Sequence, residues 1–220
     1  MKKLNTLTLL LSVVLLQACT PKTECDKAKW HKYAIEAYYV PNYVYVAKAE
    51  RSEDPSKLYW NLWFSRSEES SITEKTNKEL FEKIAREHGE TGVGFYAFPP
   101  MLPCLYGVQK IEVAGYNKEN ETSLSHIIFL SSYSIEPFIQ RGYKTDFHGI
   151  WTPIDLSLES IINYDYFPFP MEGHGFLLSC DKNNIEEKFD RVEVRVTLKD
   201  GKTLCSDMPM SLNLNSADSQ

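Results

Sequence analysis

Two short segments set a carboxylate beside an imidazole, Asp146-Phe147-His148 and Glu172-Gly173-His174. A carboxylate next to a histidine can hold the ring while it takes up a proton, the arrangement of a general base. Neither pair has a nucleophile that can be assigned to it, and pairs of this kind arise by chance in loops. The Gly-x-Ser-x-Gly elbow, the His-Glu-x-x-His zinc motif, the Walker-type glycine loop and Gly-x-Gly-x-x-Gly are all absent. Gly92-Val93-Gly94 has two of those glycines and reads as a turn entering a strand. Glu68-Glu69 and Glu186-Glu187 are adjacent in sequence, so each pair splits between two faces of any regular element and reads as solvated charge. His126, His148 and His174 have no second His or Cys at ligand spacing, and there is no Cys-x-x-Cys. The residues therefore specify no catalytic group, no metal and no cofactor.

The segment with the most binding chemistry is aromatic. Tyr164, Tyr166, Phe167 and Phe169 stand with Asp165, Pro168 and Pro170, and Trp151 precedes them. The run lacks the period of a strand. Rings on proline-stiffened loops can stack on sugars or act as hot spots for a protein, with Asp165 and Glu172 as polar partners. The same rings can instead cover one end of a β-sandwich, since aromatic side chains mostly supply buried area. Strand spacing by itself accounts for Tyr38, Tyr39, Tyr43 and Tyr45.

Five cysteines are an odd number, and the first of them explains it. Met1-Lys2-Lys3 is a positive start, and Leu7 to Leu16 is an apolar run too short for a bilayer, which needs roughly 20 residues. It reads as a signal peptide over residues 1–18. Leu16-Gln17-Ala18-Cys19 resembles the lipobox of bacterial lipoproteins. That resemblance implies a diacylglycerol on the Cys19 sulfur, cleavage after Ala18 and acylation of the freed amine. Two or three acyl chains give stable anchoring where one binds only marginally. Thr20, in place of Asp, implies the outer membrane by resemblance to the enteric sorting rule. Glu24 and Asp26 are scattered among Lys22 and Lys27, so the dense acidic signal of some surface-exposed lipoproteins is missing.

Cys25, Cys104, Cys180 and Cys205 remain, an even number in a compartment where disulfides persist. Three pairings are open. The expected one joins Cys180 to Cys205, both beside strand-like segments near the C-terminus, and leaves Cys25 with Cys104, stapling the tether to the domain.

These residues need a scaffold, and most of it reads as β. Residues 19–32 form a short polar tether, and residues 33–220 form one sandwich-like domain. Tyr33 to Ala47 is a strand pair or bent strand broken at Pro41-Asn42. Leu58, Trp60, Leu62 and Phe64 alternate with Tyr59, Asn61 and Trp63, a strand with a heavily apolar inner face. Further strands are expected at Val93 to Phe98, Val108 to Ala114, within Ser125 to Tyr133, and from Gly175 to Cys180. Thr76 with Glu79 forms a capping box for one surface helix over residues 77–88, stopped at Gly89, with His88 a favourable charge at its end. Ser134 to Gly173 reads as a long excursion from the sheet. Val192 to Leu198, Asp200-Gly201 and Lys202 to Cys205 read as a hairpin with a two-residue turn, and Ser211 to Leu214 as a last strand. The fold class is mainly β, an antiparallel sandwich for which an immunoglobulin-like arrangement is one expectation.

The 220 residues carry Lys+Arg 24 against Asp+Glu 30, a net charge of −6. Loss of the leader removes Lys2 and Lys3 and no acid, so the mature chain is more acidic still. Such a balance, with no basic block, excludes a nucleic-acid partner. Cys104, Gly107 to Val113 and the ending Val192 to Leu204 resemble uncharacterised Bacteroidetes-type lipoproteins, a resemblance that implies the compartment and fold and no activity. The expected role is a membrane-anchored, non-enzymatic envelope lipoprotein that recognises a protein or glycan through loops of its sandwich. The alternative is a lipid-anchored periplasmic hydrolase, which would bring two carboxylates together about 5 to 10 Å apart in a cleft. Cys19→Ala is expected to abolish palmitate incorporation in labelled cells and to release the protein from membranes. Full membrane retention of that variant would refute the anchor.

Overall fold

The computed structural model describes residues 33, 35–49, 54–65, 71–90, 103–142, 151–169, 176–185 and 189–209. The leader, the tether with Cys19 and Cys25, the expected strand at Val93 to Phe98, both carboxylate–histidine pairs and the expected strand at Ser211 to Leu214 lie outside these residues.

Alternation of apolar and polar side chains determines the strands. In chain order they are Ala37–Tyr39 (β1), Tyr43–Lys48 (β2), Lys57–Ser65 (β3), Ser71–Thr73 (β4), Cys104–Leu105 (β5) and Val108–Asn117 (β6). Asn120–Ser123 (β7), Phe129–Ser134 (β8), Thr152–Ser157 (β9), Phe176–Asp181 (β10), Arg191–Leu198 (β11) and Thr203–Asp207 (β12) complete the set. A five-stranded sheet runs β2-β3-β10-β8-β9 and a four-stranded sheet runs β12-β11-β6-β7, both wholly antiparallel. Leu58, Trp60, Leu62 and Phe64 of β3 share one core with Val192, Val194, Val196 and Leu198 of β11, as the inner faces of a sandwich do. The two sheets meet where β2 runs beside β12, and there the Val46 amide donates to Ser206 Oγ at 3.1 Å.

Pro41 and Asn42 do more than interrupt a strand. They separate β1 from β2, and β1 belongs to a third sheet, β4-β1-β5, antiparallel on one side and parallel on the other. Against that sheet packs helix α1, Lys78–Glu87, with Phe81, Ile84 and Ala85 buried. A second core forms here from Tyr38, Ile72, Phe81, Ile84, Phe138 and Tyr166 among others. The helix falls where the periodicity predicts it, but its cap is Asn77, whose Oδ1 accepts from the Leu80 amide at 3.1 Å. Thr76 is occupied one step earlier, accepting from the Thr73 amide and donating to the Ser71 carbonyl. Gly89, at φ 79°, ends the helix in the left-handed region as expected.

The expected excursion from Ser134 contains regular structure. Helix α2, Glu136–Gln140, follows β8 directly, and β9 returns to pair with β8 as an edge strand. Pro153 is tolerated because an edge strand has one side of its ladder open. A short helix α3, Lys182–Ile185, follows β10. The C-terminal hairpin forms, but its loop has three residues, Lys199-Asp200-Gly201, with the Leu198 amide donating to the Lys202 carbonyl at 2.8 Å. Only Gly201 in this loop has positive φ, as a three-residue hairpin loop requires, and the Lys199 amide donates to the Gly107 carbonyl at 2.8 Å.

The expected Cys180–Cys205 disulfide is not formed. Cys180 is buried in β10 opposite Leu58, whereas Cys205 is exposed on β12 opposite Arg195, in the other sheet. A disulfide needs Cβ atoms about 4 Å apart. Cys104 is likewise a buried thiol, pushed well above the ordinary thiol range by burial and then by the charges of Glu90 and Asp165. Its expected partner, Cys25, lies outside the described residues.

One glycine is required by packing. A Cβ on Gly115 of β6 would lie 2.6 Å from the ring of Phe189. Gly115→Ala is expected to destabilise the fold by about 1 to 3 kcal/mol in a denaturant titration. Phe189→Leu should recover part of that loss, and an additive double mutant would show that the ring is not the cause.

Candidate functional site

The aromatic segment, which reads either as a binding loop or as rings that cover one end of the sandwich, is interior. Tyr164, Asp165, Tyr166, Phe167 and Phe169 are each 4% exposed or less, and Trp151 is half-buried against the second core. Tyr164, Phe167 and Phe169 belong to the sandwich core, while Tyr166 belongs to the core under α1. The segment therefore passes between the two. Its backbone is fastened there: the Leu105 amide donates to the Phe167 carbonyl at 2.8 Å, the Phe169 amide to Pro103 at 2.7 Å, and the Ile135 amide to Tyr166 at 3.1 Å. Tyr166 has φ 67°, a left-handed conformation that costs a bulky residue of the order of 1 kcal/mol. That turn directs its hydroxyl to Glu90 Oε1 at 3.2 Å, where the Tyr38 hydroxyl also donates at 2.8 Å.

Asp165 is fully buried and its oxygens are taken up by the protein. Oδ1 accepts from the Gly107 amide at 3.3 Å, while Oδ2 meets His88 Nε2 at 3.1 Å and Lys199 Nζ at 2.5 Å. Burial opposes ionisation, but the hydrogen bonds from His88 and Lys199, followed by their charges, outweigh it and hold this carboxyl below its ordinary range. A depressed carboxyl stabilises the fold above about pH 4 and loses that contribution as pH falls further. His88, expected to act on the helix end, is thus an Asp165 ligand, with its ring edge-on to Tyr166 at 4.6 Å. Spacing could not reveal these contacts, because Lys199 and Gly107 stand 34 and 58 residues from Asp165.

A solvent-facing site lies elsewhere, on the outer face of the five-stranded sheet. The register arranges its side chains in rows across the strands. Tyr45 faces Trp63, with nearly parallel rings at 6.2 Å, and Tyr133 with Pro153 continues that row on β8 and β9. The next row is largely polar: Asn61, Leu177, Ser131 and Asp155, with Ser131 Oγ donating to Asp155 at 2.9 Å. Beyond it, Tyr59, Ser179 and Phe129 form a second ring-bearing row. Tyr43, Tyr45, Phe129 and Tyr133 are all exposed, between 44% and 55%. Tyr43 and Tyr45 had been accounted for as ordinary strand residues. The signal that they are not was the pattern Tyr-Val-Tyr-Val, in which Val44 and Val46 already fill the core.

At the end of this face is a cavity of about 250 Å³ bordered by Lys57, His126, Phe129, Ser179, Asp181 and Asn184. Lys57 and Asp181 are cross-strand neighbours. Among the described residues no group of His, Cys, Asp and Glu side chains could hold a metal ion. No family model, curated protein or solved structure matches the chain.

The interior rings have a measurable signature. Tyr38 and Tyr166 are pushed far up by burial first and by the Glu90 charge next, and Tyr164 by burial. Raised phenols favour the neutral fold, so their contribution is complete below the unfolded value of about 10 and lost above it. Three such groups should steepen the loss of stability to about 4 kcal/mol per pH unit above pH 10. An absorbance titration of phenolate should leave these three silent until the protein unfolds, and their ionisation in the folded state would contradict the buried network.

Proposed function

We propose that this chain is a membrane-anchored bacterial envelope lipoprotein that performs no reaction and binds a partner, a protein or a glycan, through the outer face of its five-stranded sheet. The observation that carries the reading is the set of exposed rings, Tyr45 and Tyr133, with the half-buried Trp63 stacked on Tyr45, on a face whose opposite side already supplies the core. Folding gains little from aromatic side chains left in water, whereas binding gains much from rigid rings with two rotatable bonds. The anchor rests on Leu16-Gln17-Ala18-Cys19, and Thr20 supports the outer membrane. No helix among the described residues is long and apolar enough to cross a membrane.

The hydrolase reading has less support. Glu90 and Asp165 are two acids brought into one region, but both are at most 2% exposed and spend their oxygens on Tyr38, Tyr166, His88, Lys199 and Gly107. A general acid must come within hydrogen-bond reach of its substrate.

A photo-crosslinking residue placed at Tyr45 or at Tyr133 in living cells is expected to give specific adducts, while the same residue at Glu119, in the hairpin between β6 and β7, gives none. Equal labelling from all three positions, or none from the sheet face, would remove the binding-face reading.

A further inference from the structure

The chemistry of this face points to one class of ligand. We infer that it binds an uncharged oligosaccharide, laid across the two rows of rings with one sugar residue seated in the cavity beside Phe129. This deepens the binding-face reading and rests on it.

Three features support a sugar chain over other occupants. First, the face alternates in a way a protein interface core does not. Rings at Tyr45, Trp63 and Tyr133 are separated from those at Tyr59 and Phe129 by the amide, hydroxyl and carboxylate of Asn61, Ser131 and Asp155. Pyranose rings present C–H groups on their faces and hydroxyls around their edges, so they need aromatic planes and polar groups side by side. Second, the cavity brings together both kinds of hydrogen-bonding partner, with donors on Lys57 and Asn184 and acceptors on Asp181 and the Asn184 amide oxygen. Its 250 Å³ is smaller than the roughly 300 to 1,000 Å³ of drug-sized sites, a size that suits a single sugar unit and not a whole ligand.

Third, the charges exclude an acidic polymer. Lys57 is balanced by its neighbour Asp181, and Asp155 adds a further negative charge to the same face, so the described residues of this face offer no cationic surplus to hold sulfate or uronate groups. The track is long enough for a chain: Lys57 and Trp63 are six residues apart on β3, about 20 Å at strand spacing. The rings project from strands of one antiparallel sheet and not from loops, with β10 between those of β3 and those of β8.

The test uses the full lipidated chain in detergent micelles, titrated with neutral hexasaccharides of glucose, xylose, mannose and N-acetylglucosamine, and with polygalacturonate as the acidic control. Binding is followed by calorimetry and by tryptophan emission. At least one neutral hexasaccharide should bind, and Trp63→Ala and Tyr133→Ala should each weaken it by about tenfold or more, the size of one lost ring contact. Trp63→Phe should retain most of the affinity, and Asn184→Ala should weaken binding without altering the emission shift. Circular dichroism and thermal melting identify any variant that fails to fold, and Asn184→Ala leaves the sheet face intact as a second probe. Binding of polygalacturonate alone, binding of no neutral hexasaccharide, or affinity indifferent to both Trp63→Ala and Asn184→Ala would overturn the inference. If Tyr45 and Tyr133 crosslink a protein in cells while no hexasaccharide binds, the sugar ligand falls and the binding face stands. Loss of both results removes the two together.

Discussion

A buried, charged carboxylate is a costly group, and the way Asp165 is satisfied ties the described residues together. An unpaired buried charge costs several kcal/mol, and removing one partner of a buried pair costs about 3 to 5. The three groups that meet Asp165 come from three separate places: His88 at the end of α1, Gly107 between β5 and β6, and Lys199 in the loop after β11. None of them can shift without exposing the deficit. Lys199 is held twice over, since its backbone amide donates to the Gly107 carbonyl, and its ammonium lies 4.6 Å from the centre of the Tyr106 ring. Asp165 thereby sets where the helical layer sits against the sandwich.

The aromatic residues divide into two populations with different work. Those of the 164–169 segment join the cores, with rings entering both and the backbone sealed by bonds to Pro103, Leu105 and Ile135. Those of the outer sheet face are positioned by the same strands that build the interior. Each alternate residue of β3 secures the fold, and each intervening one is offered to solvent. An exposed ring there is held at fixed height and spacing by a strand whose other face is locked in place. Such rigidity lowers the ordering cost of binding.

Strand and helix positions were legible because they depend on local pattern. Val192 to Leu198 and Leu58 to Phe64 each repeat with period two, and Phe81, Ile84 and Ala85 recur at helical spacing. Details set by competition were not. Thr76 looks as good a cap as Asn77, and only the demand of Thr73 and Ser71 for its hydroxyl decides between them. Tyr164 to Phe169 shows no regular period because it packs in two directions at once, and without a period a buried loop cannot be told from an exposed one. The inner and outer faces of β2 were distinguishable by their valines, but a reading that stops at strand spacing cannot tell exposed tyrosines from buried ones. The pairing of Cys180 with Cys205 failed for a topological reason, since neighbours in the chain's last third belong to opposite sheets.

The outer edges of the two sheets face a hazard that their interiors do not. An open strand edge is a template for stacking one copy of a protein on the next. β9 carries Pro153, which has no amide to donate, and β7 is a four-residue strand, Asn120 to Ser123, with every side chain in water and Glu121 gripped by Arg195 at 2.8 Å. At the opposite margin, the Ser206 hydroxyl caps the Val46 amide where a foreign backbone would otherwise dock. The described edges therefore offer little to an added strand, and the two sheets end without a continuous ribbon.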